Sequence, residues 1–371
     1  MFLYNSKLIF KYSSIEGMWI MTQVMNNQKT QEAIIRVHQA IKDIQEGKMV
    51  VMVDDEDREN EGDLVYAASL STPEKVNFMA SQAKGLICVS ITKEIAQRLS
   101  LAPMVSHNSS SHETAFTVSV DAKEATTGIS AYERDMTIQL LANPITKASD
   151  LVRPGHIFPL IAKEGGVLVR IGHTEGSVDL CRLAGLREAA VICEIMKEDG
   201  SMARRPDLDL FCERHDLNIV YISDLVEYRM FNESLITMLD ESVVSFMGSD
   251  VKKYCFSDHA HKHHYAYVFG ELETQSTVKF HQMGLDQALF ENSKKYDHLM
   301  NSIAYLKEQG GVLVFMNSHA SCMEEVREYG IGAQILKYLG LSQIKLISTS
   351  LTKEFKAING FELEIVDFIQ L

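Results

Sequence analysis

Apolar positions along the first two thirds of the chain switch repeatedly between helical and strand-like spacing. Within residues 30–47, Ala33, Ile34, Val37, Ala40, Ile41 and Ile44 recur at helical intervals, with Thr30 as the expected N-cap and Gly47 as the stop. Residues 49–53 form a short, continuous apolar run of strand type that breaks into the acidic segment 54–63. The alternation continues. Thr72-Pro73 opens a helix that Gly85 closes, residues 86–91 read as a buried strand and 115–120 as another, and Ser130 with Glu133 forms a capping-box pair ahead of a helix running toward Leu141. Residues 157–162, the Gly165-Gly166 pair and residues 167–171 predict a hairpin. A helix over 174–183, a strand over 190–195, a turn at Asp199-Gly200, a helix over 207–215 and a strand over 219–222 complete a unit ending near residue 230.

Strands interleaved with helices predict an α+β fold, a mixed α/β sandwich, for this first unit. Residues 232–243 lack Gly and Pro and read as a helix-like linker, after which the texture changes to strand-like segments, a His-rich piece and a new helix–strand alternation. The expected organisation is a leader over 1–28, a first domain over 29–231, a linker over 232–247 and a smaller α/β domain over 248–371. A chain of 371 residues with 46% hydrophobic residues is long enough for two cores.

Charge narrows the function. A formal net charge of -14 argues against nucleic acid or an anionic membrane as the main partner, and leaves room for a small anion held in a local basic pocket. Cysteines stand at 88, 181, 193, 212, 255 and 322 with no C-x-x-C pair, which fits a reduced, cytoplasmic chain. Lys7 and Lys11 interrupt the apolar patches of the leader, so it does not read as a signal peptide; Met18, Met21 and Met25 are alternative starts. No segment is long and apolar enough to span a bilayer.

Four constellations could carry chemistry. The run from Asp54 to Asp63 crowds carboxylates directly after a buried strand, which is costly unless a cation compensates them; a solvated acidic loop is the plain alternative. No register of the run supplies the glycine and terminal glutamate of a calcium-binding EF-hand loop. Arg170, Gly172, His173 and Thr174 share one strand-to-helix turn, a combination suited to gripping a phosphate beside a metal ligand. Arg153-Pro154-Gly155-His156 is the third, and Glu194 inside an apolar strand is the fourth. A carboxylate at that place needs a partner or a task.

The runs DDEDRENEGD, TAFTVSVD, TTGISA, RPGHIFPL, GGVLVRIGHTE and CEI, in this order, resemble 3,4-dihydroxy-2-butanone 4-phosphate synthase of riboflavin biosynthesis. The resemblance implies a lyase that converts D-ribulose 5-phosphate into L-3,4-dihydroxy-2-butanone 4-phosphate and formate with Mg²⁺ or Mn²⁺, and a homodimer with pockets near the subunit interface. It makes Glu59 and His173 the metal ligands. It assigns substrate contacts to Arg58, Glu59, Asp63, Thr127, Arg170, Ile171, Gly172, His173, Thr174 and Glu194, and catalytic positions to His156, Glu194, Glu61, Asp63 and Cys88. Proton abstraction beside a ketone needs a base and a Lewis acid, and these residue types supply both. Ile171, where many members carry Gly, Glu133, where they often carry Asp, and the pair His112-Glu113 depart from the family pattern without removing a catalytic group.

Residues 327–336, then Leu339-Gly340-Leu341 and residues 360–366, resemble the C-terminal end of GTP cyclohydrolase II. That enzyme needs three cysteines for a catalytic zinc, and residues 248–371 contain only Cys255 and Cys322. Asn317-Ser318-His319-Ala320-Ser321-Cys322 replaces the expected Arg-Gly-rich motif. A degenerate, zinc-free scaffold is therefore expected, and His259, His261, His263 and His264 read as a solvated strand. The rival readings are a bifunctional enzyme that also hydrolyses GTP and a non-catalytic sensor of GTP or a flavin.

Overall fold

The computed structural model describes residues 31–54, 58–110, 114–317, 322–348 and 363–371, with the side chains of Phe231 and residues 322–329 also outside that description. The leader, Thr30, the His112-Glu113 pair and most of the 317–322 replacement therefore lie outside the described residues.

The chain forms two seven-stranded mixed sheets. The first unit contains α1 (31–45), β1 (Val50–Val53), β2 (Gly62–Ala67), α2 (Pro73–Phe78), β3 (Cys88–Ile91), α3 (Lys93–Arg98), β4 (Val120–Ala122) and α4 (Ala131–Ala142). It continues with β5 (Leu151–Ile161), α5 (His173–Leu183), β6 (Ala189–Glu194), α6 (Arg205–His215), β7 (Asn218–Tyr221) and α7 (Ile222–Asn232). Its strand order is β4-β5-β3-β6-β2-β1-β7.

Helices cover both faces of this sheet, which is why its central strands read as unbroken apolar runs. Along each strand the side chains alternate between two cores. Val51, Leu64, Tyr66, Val89 and Val191 pack with Val76 of α2, Ile138 and Leu141 of α4 and Leu208 of α6. Val50, Met52, Val65, Cys88 and Ile192 face the other way, toward Val37, Ala40 and Ile44 of α1, Leu180 of α5 and Leu225 of α7. Each such side chain, fully buried, contributes about 1.5–3 kcal/mol. Thr72 and Thr92 accept hydrogen bonds from the Lys75 and Ile95 amides and so fix where α2 and α3 begin.

The second unit contains β8 (Ile236–Phe246), β9 (Ser249–Asp258), β10 (His263–Phe269), β11 (Gln275–Gln282), α8 (Asp286–Glu291), α9 (Ser293–Gln309), β12 (Gly311–Met316), α10 (Cys322–Tyr338), β13 (Gln343–Ile347) and β14 (Glu364–Ile369). Its order is β14-β13-β11-β12-β10-β9-β8. Leu299, Ile303 and Leu306 of α9 pack with Val251, Phe269 and Leu313, while Ile331, Ile335 and Leu336 of α10 pack with Phe256, Val268 and Val314. Among the described residues no helix is long and apolar enough to cross a membrane.

Four expectations need correction. Residues 167–171 are not the second arm of a hairpin: β5 ends at Ile161 and a 3-10 turn over Gly166–Leu168 leads into α5. Gly165 and Gly166, at φ +88° and +61°, redirect the chain toward a helix rather than reversing it along a neighbouring strand. The stretch read as a helix-like linker is the last residue of α7, a short connection and then the edge strand β8, whose alternation is masked by exposed Met238 and Leu239. Residues 115–120 make only isolated bridges through Phe116 and Thr117 before β4. Lys84, at φ 72°, closes the helical segment after α2 ahead of Gly85.

Candidate active site

The acidic run turns because Asp54 organises it. Its carboxylate accepts the Glu59 amide at 3.2 Å, the Glu61 amide at 2.9 Å and Arg58 Nη1 at 2.8 Å, with its side chain fully buried. Asn60 takes the left-handed conformation at φ 54° that lets the chain re-enter β2. Arg204, just ahead of α6, donates to the Glu59 and Asn60 carbonyls from outside. Glu59 and Glu61 thus stand on a turn fixed from both sides, while Asp63 projects from β2.

Three further elements bring groups to the same place. Asp63 pairs in register with Glu194 of β6, so the two carboxylates share one face of the sheet. Cys88 of β3 pairs with Ile192, two residues before Glu194. His173, the first residue of α5, lies over that face with Nδ1 at 3.8 Å from Glu59 Oε2 and Nε2 at 4.0 Å from Asp63 Oδ1. His173 Nε2 and Asp63 Oδ1 are both buried without a hydrogen-bond partner. Two orphaned polar atoms facing each other in the interior signal a missing ligand.

The electrostatics agree with that geometry. Burial pushes the Asp63 carboxyl well above the usual carboxylate range, and Glu194, Glu59, Glu61 and Asp54 push it further. Burial also raises Glu194, against the hydrogen bonds it accepts, which include one from the Leu86 amide at 2.8 Å. Glu61 is raised by burial and Glu59, opposed by Arg204. Burial lowers His173, which keeps the imidazole neutral and able to donate a lone pair. The Cys88 thiol is raised by burial and by Glu194 and Asp63, so it remains a thiol.

A divalent cation answers the excess of carboxylate. Asp54, Glu59 and His173 offer donor atoms that all lie within 4.8 Å of one another. Asp54 already accepts three hydrogen bonds, so its place is to shape the turn. A magnesium ion bound at about 2.1 Å from each donor leaves any two donors no more than about 4.2 Å apart; the 3.8 Å between Glu59 Oε2 and His173 Nδ1 meets that limit, and the 4.0 Å to Asp63 Oδ1 is measured from the other ring nitrogen, Nε2.

Beside this cluster lies the turn that the sequence marks as a candidate anion site. Gly172 caps α5 without a side chain and so makes no capping hydrogen bond to the first helical N–H groups, and Thr174 sits in that first turn. A Cβ on Gly172 would stand 2.4 Å from Arg170 Nη1, so a side chain there would push the guanidinium out of its present place. Arg170 Nη1 is held by the buried Glu175 at 2.5 Å. Ile171 packs against the adjoining core.

His156 and Thr127 form a second cluster. His156 Nδ1 lies 2.8 Å from Asp121 Oδ2, and the His156 amide donates to Asp121 Oδ1 at 2.8 Å. Gly128 passes so close that a Cβ would meet both side chains. Thr127 and Thr126 are tied to Glu133 through their amides and hydroxyls, so Glu133 does more than cap α4. Register places His156 level with Glu194 but with β3 between their strands, about 10 Å apart. Arg58, Glu59, Glu61, Asp63, Cys88, Arg170, Gly172, His173, Thr174 and Glu194 converge on one end of the sheet, and His156 with Thr127 stands across from them.

The sequence reading assigned no role to Asp54, Asp121, Glu175 or Arg204. Asp54 and Asp121 sit inside the quoted motifs, DDEDRENEGD and TAFTVSVD, and so carried a signal; Arg204 and its distant carbonyl partners carried none.

Residues 38–228 match the family model of 3,4-dihydroxy-2-butanone 4-phosphate synthase, and residues 317–370 match that of GTP cyclohydrolase II. A 3,4-dihydroxy-2-butanone 4-phosphate synthase of Sulfurospirillum multivorans is 64% identical over 93% of this chain and 97% of its own. The synthase of Campylobacter jejuni is 54% identical over 89% of this chain and 97% of its own. Among solved structures, a two-domain 3,4-dihydroxy-2-butanone 4-phosphate synthase from A. baumannii aligns with a TM-score of 0.77 at 40% identity, covering 90% of this chain and 99% of that one. A synthase in complex with two magnesium ions aligns with a TM-score of 0.51 at 41% identity, over 53% of this chain and 97% of that one.

Proposed function

The chain belongs to the 3,4-dihydroxy-2-butanone 4-phosphate synthase family, and from that premise we propose that it converts D-ribulose 5-phosphate into L-3,4-dihydroxy-2-butanone 4-phosphate and formate, using the cluster at the end of β2, β6 and α5. The observation that carries this reading is the pair of orphaned atoms, His173 Nε2 and Asp63 Oδ1, facing each other 4.0 Å apart beside Glu59. Glu59 and His173 hold Mg²⁺ or Mn²⁺, which when bound supplies a Lewis acid for negative charge developing on the substrate oxygens.

The residues divide the remaining work. Arg170, Gly172, Thr174 and the open end of α5 grip the phosphate, and Arg58 approaches from the acidic turn. Asp63 and Glu194, each raised by burial, exchange protons with the carbon chain. Glu61 and Cys88 line the pocket. Asp121 holds His156 at Nδ1 and leaves Nε2 to act as a second proton shuttle. Thr127 borders that side.

The synthase unit spans 29–231, and the GTP cyclohydrolase II-like unit follows as a scaffold of cytoplasmic chemistry without zinc. A homodimer is supported by large apolar residues left exposed, Ile129 and Tyr132 just after Thr127, Met136 on α4 and Ile145 beyond its end. Incubating purified, Mg²⁺-loaded protein with ribulose 5-phosphate releases formate, and EDTA stops the release; no turnover overturns the proposal. Incubation with GTP and Zn²⁺ yields no 2,5-diaminopyrimidine product, since the three-cysteine set is missing.

A further inference from the structure

The 165–172 turn, which ends in Arg170 and Gly172, is fastened to both units at once. Val167 is 1% exposed and sits in the first unit's core beside Leu180 and Leu225. Its neighbour Leu168 is 3% exposed and belongs to the second unit's core, alongside Phe256, Val268, Val314 and Ile331. Gly165 completes the seat, since a Cβ there would stand 3.2 Å from the His259 carbonyl.

Polar contacts secure the same turn. Arg229 of α7, with a side chain 4% exposed, donates to the Gly165 carbonyl at 2.8 Å and to Asp179 Oδ2 at 2.6 Å, while Asp179 Oδ2 also accepts the Val167 amide at 2.8 Å. Arg229 is itself gripped by Glu233 at 2.8 Å. The end of α7 is in turn held by the second unit: Gln334 of α10 donates to the Glu233 carbonyl at 2.8 Å and accepts the Leu235 amide at 2.6 Å.

We infer that the C-terminal unit is an abutment for the phosphate-gripping turn, with Leu168 and Arg229 as positioning residues that act through Arg170 and the open end of α5. This deepens the proposed function and rests on it for the identity of the anion. Glu59, Asp63 and Glu194 hang on the first sheet and its acidic turn, so loosening the abutment displaces the anion grip more than the proton-transfer groups. A shift of that kind weakens phosphate binding with a smaller effect on the chemical step.

The test is Leu168→Ala in the full chain, read by calorimetric binding of inorganic phosphate and by kcat and KM for ribulose 5-phosphate. The expected result is a roughly tenfold rise in both the phosphate Kd and KM, kcat within about threefold of the unsubstituted protein, and recovery in Leu168→Met. Should Leu168→Ala not fold, Gln334→Ala decides the matter, with the same split at about threefold. Unchanged phosphate Kd and KM alongside a lowered melting temperature overturn the inference, as does equal loss in kcat and phosphate affinity. The phosphate measurement stands without turnover: an unsubstituted protein that binds phosphate but releases no formate sinks the functional proposal alone, and one that binds no phosphate sinks the inference.

Discussion

The two sheets have the same number of strands, and both are flanked by helices, yet they treat buried charge in opposite ways. In the first unit, Asp63, Glu194, Glu59 and Glu61 crowd one sheet end, and burial raises three of them toward the protonated form. In the second, Asp258 is held by its own turn, accepting the Ala260 and Lys262 amides, and lies 3.4 Å from His264. Lys279 there donates to His298 Nε2 at 2.9 Å. Among the described residues, the metal-capable group of three lies in the first unit. The difference shows how a site and a scaffold can be told apart on related layer architectures: the site crowds several carboxylates against one buried imidazole, whereas in the second unit Asp258 is satisfied by the amides of its own turn.

The largest effect that could break this contrast is on turnover. His173→Ala is expected to lower formate release by roughly a thousandfold or more, while His281→Ala, in the second unit, leaves kcat within about threefold. Steady-state assays of both variants check this, and equal losses would erase the distinction. A smaller effect sharpens the role of the acidic turn. Arg204→Ala, which frees the Glu59 and Asn60 carbonyls, is expected to raise the Mg²⁺ concentration needed for half activity by about tenfold.

The smallest effect separates the halves by pH. In the second unit, burial and the nearby cations Lys295, Lys279 and His298 push His281 down to about 4 from 6.5. The unfolded chain therefore binds the proton more readily between these values, so this group's contribution to folding is fully present above pH 6.5 and is lost as pH falls toward 4. Lys279, pushed down to about 8 from 10.5 by burial, acts in the same direction at higher pH, and the unit gains stability as pH rises from 8 to 10.5. Hydrogen exchange across β11 and α9, followed from pH 7 to pH 4.5, should show protection falling there, and His281→Phe should flatten the trend.

Much of the first unit was legible because both sheet faces are covered: residues 49–53 and 190–195 are apolar at every position that must be buried. The site was legible through crowding, since an acidic run after such a strand and an Arg-x-Gly-His-Thr turn before a helix have few structural uses. What escaped was set by contacts distant in sequence. The 165–172 turn resembles a hairpin until Leu168 is seen to belong to another core, and β8 hides its period because an edge strand exposes both faces. Arg204 escaped for the same reason, its work being hydrogen bonds to the distant Glu59 and Asn60 carbonyls that no side-chain pattern reports.

The central claim, that Glu59 and His173 meet around one divalent ion, is tested most directly by Mn²⁺ binding followed by electron paramagnetic resonance in the unsubstituted protein, Glu59→Gln and His173→Ala. The account predicts tight binding in the first and a loss of about a hundredfold or more in each variant. Binding that survives undiminished in both variants would contradict it.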